Sequence, residues 1–252
     1  VLTREQTAAL RCGARRYCEQ SKRPLASLCF VLPLLLCYEL GVLLLGEHGI
    51  RNGVDTWLRG WLTSVGFEHY FLLPLLTIAA LLAWHYTTRA CWTFRASVLW
   101  WMLLESVVFA GLLFGIACLQ AVFVTGQGPL QIADPALLRS EAMVSRAALL
   151  VAFCGAGIYE EILFRWMLLP PLFAAAARLT ARMRLSRMIA VALSSGLFAM
   201  AHYLGPAGDS FDWYSLAFRY FAGIFFAALF LYRGLGVASG AHAFYDVMAA
   251  AG

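Results

Sequence analysis

The chain has 252 residues, 62% hydrophobic and 13% charged, with a mean hydropathy of +0.75 and a formal net charge of +5. A soluble domain of this length carries roughly 25% charged residues, so the composition excludes a water-soluble enzyme and describes a polytopic membrane protein. The basic balance, 18 Arg and one Lys, lies in the connections between apolar runs and speaks to membrane orientation, not to nucleic acid.

Residues 1–24 carry Arg4, Arg11, Arg15, Arg16, Lys22 and Arg23 and read as a basic surface segment. A first span follows at Leu25–Leu45, long enough to cross a bilayer, with Pro33 and Glu39 inside it. Over 46–69, Trp57, Leu58, Trp61 and Leu62 recur at helical spacing around Asp55 and Arg59, which predicts a helix lying in the membrane interface. The second span is Tyr70–Tyr86, and the third is Ser97–Val124 with Glu105 inside it. Gly126-Gln127-Gly128-Pro129 breaks the third span, and a polar loop continues to Glu141. The fourth begins near Ala142, and Pro170-Pro171 is expected to kink or end it before a helical pattern resumes through Ala174–Leu179. Arg178, Arg182, Arg184 and Arg187 cluster before a fifth span at Met188–Leu204. The sixth, Trp213–Tyr232, is interrupted by Arg219, and the seventh runs from Leu235 onward.

Lys plus Arg number 6 before the first span and then 2, 2, 1, 4, 0 and 1 in successive connections. This pattern predicts a cytoplasmic N-terminus, seven spans and the far end outside. No cleavable leader is visible, because the first apolar run is too long for one. Seven cysteines lie mostly in apolar runs with no CxxC pair, as small hydrophobes and not as a disulfide framework or zinc site.

The most costly stretch is Tyr159-Glu160-Glu161-Ile162-Leu163-Phe164-Arg165, set in an otherwise apolar run from Ala147 to Phe173. Each isolated charge there costs at least ~2.5 kcal/mol. On a helix Glu161 and Arg165 are i and i+4, acid first, the favourable order for an ion pair. Glu160 points elsewhere and has no partner at helical spacing. One carboxylate is thus neutralised, and the other is free to act as a general base. Phe198 and His202 share a face of the fifth span, and His242 and Asp246 share one of the seventh, each at i and i+4. The acid can orient the imidazole or share its proton.

Glu160-Glu161-x-x-x-Arg165, Phe198-x-x-x-His202 and His242-x-x-x-Asp246, in order on three late helices, resemble the three motifs of the CPBP family. That family includes CaaX-processing endoproteases and bacterial Abi-type membrane proteins. The resemblance covers about residues 145–252; the first half matches nothing comparable. It implies that Glu160 activates water beside His202, that Glu161 and Arg165 form a supporting ion pair, and that His242 with Asp246 stabilises the oxyanion. Two positions depart from the pattern. Trp166 stands where glycine is frequent, and Asp246 where asparagine is common. An ionised aspartate cannot donate to an oxyanion. Either Asp246 carries a proton and donates, or it orients His242 and the imidazole donates alone.

The expectation is an all-α transmembrane bundle of about seven spans plus an interfacial helix, with a basic segment at 1–24, N-terminal membrane helices at 25–141 and a catalytic membrane core at 142–252. Its function is intramembrane hydrolysis of a peptide bond in a membrane-associated or lipidated substrate, in a bacterial inner membrane, with the lipid bilayer as its other partner and no role for nucleic acid. A metal-free mechanism is favoured; zinc chemistry would draw on Glu160, His202 and His242. The competing classes are a proton-coupled transporter and a non-catalytic scaffold or immunity protein. Depth is a condition on all of this. At ~1.5 Å per residue His202 lies about 22 Å from Arg187, His242 about 13 Å from Arg233 and Glu160 about 27 Å from Arg178. The groups meet only if the fourth span is kinked and the helices are tilted or offset. Glu39 and Glu105 are candidates to line a substrate path, and Arg219 to pair with an acid.

Overall fold

The computed structural model describes residues 16–46, 51–125, 146–205 and 208–251. Among them the regular structure is helical: α1 Pro24–Leu45, α2 Gly53–Ser64, α3 Leu72–Thr88, α4 Ser97–Thr125, α5 Arg146–Leu179, α6 Met183–Ala201, α7 Trp213–Arg233 and α8 Leu235–Ala251. The protein is an all-α membrane helical bundle. α1, α4, α5, α6 and α7 are long and apolar enough to cross a bilayer. α3 and α8, read as spans from sequence, have 17 residues each. The expectations for residues 1–15, the loop 126–141 and the start of the fourth span at Ala142 lie outside the described residues.

α1 buries Leu28, Val31, Leu35, Tyr38 and Val42 at helical spacing and exposes Leu36, Leu40, Leu43 and Leu44. An apolar outer face beside an apolar inner one is what a lipid-facing helix requires. α8 is the centre of the bundle, with every residue from Leu235 to Ala243 buried. Its Gly, Ala and Ser content lets neighbours approach closely, as membrane helices do. Gly236 lies against Ser27 of α1, and Gly240 against Ser106 of α4.

α2 is short because its ends are marked. The Asn52 side chain caps its start, accepting from the amides of Val54 and Asp55 at 2.9 and 3.4 Å. It buries Val54, Asp55 and Leu62 and turns Trp57 and Trp61 outward, the arrangement expected of an interfacial helix.

Contacts between connections identify the two ends of the bundle. At one end Arg23 donates to the carbonyl of Thr93 at 3.2 Å, and Arg233 donates to Ser21 Oγ at 3.4 Å and pairs with Glu105 at 2.6 Å. At the other, α2 meets α5 through Asn52, and Trp57 of α2 lies beside Gly205 after α6.

Two boundaries differ from the sequence reading. α5 does not end at Pro170-Pro171. The turns before them, Ile162–Leu168, are π-helical, and Leu169–Leu179 then continues as α-helix with the prolines at its first positions. Proline cannot donate to the carbonyl four residues back and clashes with it; a widened turn ahead of the pair removes that conflict. α6 begins at Met183 and not at Met188, so Arg184 and Arg187 lie within its first turns, where long stems can carry charge to the interface.

Candidate active site

The double glutamate lies in the most unusual backbone of the chain. Ala156–Glu160 and Ile162–Leu168 are both π-helical, a geometry that occurs mostly as single turns at functional sites. Glu161 Oε1 sits 3.1 Å from Arg165 Nη1, and both side chains are buried. The i, i+4 pair read from sequence is therefore formed. Arg165 also donates to the Gly223 carbonyl at 3.3 Å and lies over the rings of Phe198 and Phe226, 4.3 and 5.6 Å from their centroids. The aromatic faces complement a cation removed from water.

Glu161 has a second task that sequence spacing did not reveal. His242 Nδ1–H donates to Glu161 Oε1 at 2.8 Å. Gly157 makes this contact between α5 and α8 feasible, since a Cβ there would lie 2.5 Å from the Ser239 carbonyl and 2.9 Å from Ala243 Cβ. The imidazole stacks on Phe226 at 4.4 Å and 14°. Its orientation is thus fixed by Glu161 and Phe226. Asp246, expected to share that role, has Oδ2 3.8 Å from His242 Nε2, beyond hydrogen-bond range.

His202 caps the end of α6 and is not inside the helix body. Its Nδ1–H donates to the Phe198 carbonyl at 2.9 Å, and its ring meets Phe198 edge-on at 5.0 Å. The Phe198–His202 spacing therefore sets both the ring and, in the neutral form, the tautomer. Nε2 is left as an acceptor.

Glu160 joins these groups. Its Oε2 lies 3.8 Å from His242 Nε2 and 4.0 Å from His202 Nε2, and is buried with no hydrogen-bond partner among the described residues. α5, α6 and α8 bring Glu160, His202, His242 and Asp246 of the three motifs to one place. Glu160 Oε1 is not free, however. Asn52 Nδ2–H donates to it at 2.8 Å, from a residue 108 positions earlier. Because Asn52 Oδ1 caps α2, its amide nitrogen must face Glu160. The Asn52 backbone N–H donates to Tyr38 Oη at 3.2 Å, and Tyr38 donates to Asp55 at 2.8 Å. Asp55 pairs with Arg51 and Arg59, Arg59 pairs with Glu39, and Tyr159 donates to Glu39 at 2.6 Å. This buried network returns to the residue preceding Glu160. The signal available in sequence was only an Asn before an amphipathic helix, which reads as a cap.

A cavity of about 610 Å³ opens over the site, reached by Glu160, His202, His242 and Asp246. Arg219 lines it too and pairs with Asp209. Glu39 and Glu105 do not line it; each is held in an ion pair, with Arg59 and Arg233 respectively. His85 is fully buried, edge-on to Trp92 at 4.6 Å. Tetrahedral zinc with ligands at about 2.0–2.1 Å brings ligand atoms to roughly 3.4 Å of one another. Glu160 is farther than that from both histidines, and among the described residues no group of three or more His, Cys, Asp or Glu is arranged to hold a metal ion.

The bundle of apolar helices thus encloses two histidines and three carboxylates in one buried cluster. Residues 143–248 match the family model described as type II CAAX prenyl endopeptidase Rce1-like. That segment is similar to an Rce1-like domain, which is consistent with the CPBP family, and the long apolar helices make the protein an integral membrane protein. No curated protein and no solved structure matches the chain. Asn52 and its partners Tyr38, Glu39, Arg51, Asp55 and Arg59 lie outside the matched segment, which they join at Tyr159 and Glu160.

Proposed function

We propose that the protein is an intramembrane endopeptidase in which Glu160 activates the attacking water. One observation carries this reading: Glu160 Oε2 is buried, with no hydrogen-bond partner among the described residues, facing the Nε2 atoms of two histidines beneath a cavity. Two acceptors 4.0 Å apart, Glu160 Oε2 and His202 Nε2, suit a water that donates to both. Attack of that water on the amide carbon transfers its proton to Glu160. The negative charge moves to the carbonyl oxygen, and collapse breaks the C–N bond as the proton passes to the leaving amine, directly or through His202. With Nδ1–H committed to Glu161, His242 donates to the oxyanion through Nε2 only when the ring carries both protons. Protonated Asp246 is the second donor. Asn52 holds Oε1 and leaves Oε2 to react. Cleavage needs no metal in this scheme.

The substrate is a membrane-associated protein or lipidated peptide. Comparative proteomics of cells carrying the wild type and Glu160→Gln is the test. An uncut membrane-associated protein should accumulate only in the variant, and purified wild type should cleave it. A Glu160→Gln protein that cleaves it at the wild-type rate refutes the reading.

A further inference from the structure

The cations of this chain are divided between the two ends of the bundle, and the cavity belongs to one end. Arg16, Lys22 and Arg23 precede α1; Arg89 and Arg95 join α3 to α4. Arg178, Arg182, Arg184 and Arg187 surround the α5–α6 turn, and Arg233 ends α7. The contacts of Arg23 with Thr93 and of Arg233 with Ser21 and Glu105 hold three of these four connections together.

The opposite end is different. Arg51 and Arg59 are there, but paired with Asp55 and Glu39. Arg219 reaches the same end and is paired with Asp209. Arg146 starts α5, and Glu68, Asp209 and Asp212 add negative charge. Positive charge retained on the cytoplasmic side sets membrane orientation, so the four basic connections are cytoplasmic.

The cavity mouth is built from the other end: Arg51, Asn52 and Trp57 at the start of α2, and Gly205 and Asp209 between α6 and α7. Depth agrees. His202 caps the outer end of α6, and Asp246 lies five residues from Ala251, about 8 Å of helix. Trp57, Trp61, Phe211 and Trp213 are exposed around this end, at the level where aromatic side chains meet headgroups.

We infer that the catalytic cavity opens on the non-cytoplasmic face and receives a peptide segment presented from that side, next to the membrane anchor of an exported or membrane-bound protein. The word substrate rests on the endopeptidase reading; the direction of opening does not. A lipidated tail that remains in the cytoplasm would meet the basic end of the bundle, opposite the cavity mouth.

Thiol labelling tests the direction. Thr56→Cys and Ser210→Cys mark the mouth, and Ala181→Cys the α5–α6 turn; all three positions are exposed. Each is made in a chain with the seven native cysteines replaced. In intact spheroplasts a membrane-impermeant maleimide should label the mouth positions to the level reached after permeabilisation, and Ala181→Cys only after permeabilisation. The reverse pattern overturns the inference and directs the search to cytoplasmic tails. Should the cysteine-free chain not fold, fusions to the native chain after Ala251 decide. Alkaline phosphatase should be active and green fluorescent protein dark; the opposite pair of results refutes the inference. A Glu160→Gln chain should label identically, so a failure of orientation and a failure of catalysis are read separately.

Discussion

Replacing Asn52 by serine separates its two roles. Serine caps a helix about as well as asparagine, so α2 keeps its first turn. The shorter side chain cannot span the 2.8 Å bond to Glu160 Oε1, and the carboxylate loses its only hydrogen-bond donor among the described residues. A hydrogen bond to a charged group contributes about 1.5–3 kcal/mol. If that energy holds Oε2 in its reactive position, kcat should fall by about tenfold to 150-fold at roughly 1.4 kcal/mol per decade. The effect should fall on kcat more than on KM, since Asn52 bonds the non-reacting Oε1 of Glu160, and the melting temperature should stay near that of the wild type. Asn52→Asp is the complementary change: the cap and shape remain, but an acceptor replaces the donor. Its rate should fall further at neutral pH and recover as the pH is lowered, when one proton shared by the two carboxyls restores a donor. The assay is cleavage, by purified enzyme in detergent, of the substrate found by proteomics. A wild-type kcat for Asn52→Ser would refute the argument, and a loss confined to thermal stability would reduce Asn52 to a cap.

Glu160→Gln should be folded, stable in detergent and inactive, whereas Glu161→Gln should lose stability as well, by about 3–5 kcal/mol, because buried Arg165 is left without its counter-ion; thermal denaturation beside activity distinguishes them. Elemental analysis of active protein should find no stoichiometric transition metal; one zinc per chain, with activity lost to chelation and restored by zinc, would make ligands of Glu160, His202 and His242. Asp246→Asn should keep most activity, because Glu161 holds His242 Nδ1 and an amide still donates. It should also remove any alkaline loss of rate that comes from ionisation of Asp246; a large loss at every pH in its pH–rate profile would sink the donor role.

What could be read from the sequence follows from distance along the chain. The bundle was legible because lipid demands apolar runs of fixed length, and the Glu161–Arg165 and Phe198–His202 pairs because a helical turn brings i and i+4 together. α3 and α8 were legible as helices because charged or glycine-bearing turns bound them, but with 17 residues each they are shorter than the five helices long enough to cross a bilayer. Asn52 was not legible in this way. Its contact with Glu160 joins an interfacial segment to a membrane helix, and no local spacing encodes it. The hydrogen bond of His242 to Glu161 was not legible for the same reason. Asp246 is near in sequence, but Glu161, 81 residues away, is nearer in space. Pro170-Pro171 were expected to kink or end the helix; the backbone ahead of them has a π-helical hydrogen-bond register and the helix continues through them.

That register has a consequence for insertions and deletions. A π turn holds one residue more than an α turn between bonded groups, so between Ala156 and Leu168 the helix carries residues in excess of an α-helical count. Deleting one residue there should give a more regular helix and a less useful one. Everything beyond the deletion would rotate relative to everything before it. Removal of Leu163, between the acids and Arg165, would turn the guanidinium away from Glu161 and leave the other two motifs intact. A comparison of natural variants should therefore find substitutions in this stretch but a constant length from Gly157 to Pro170.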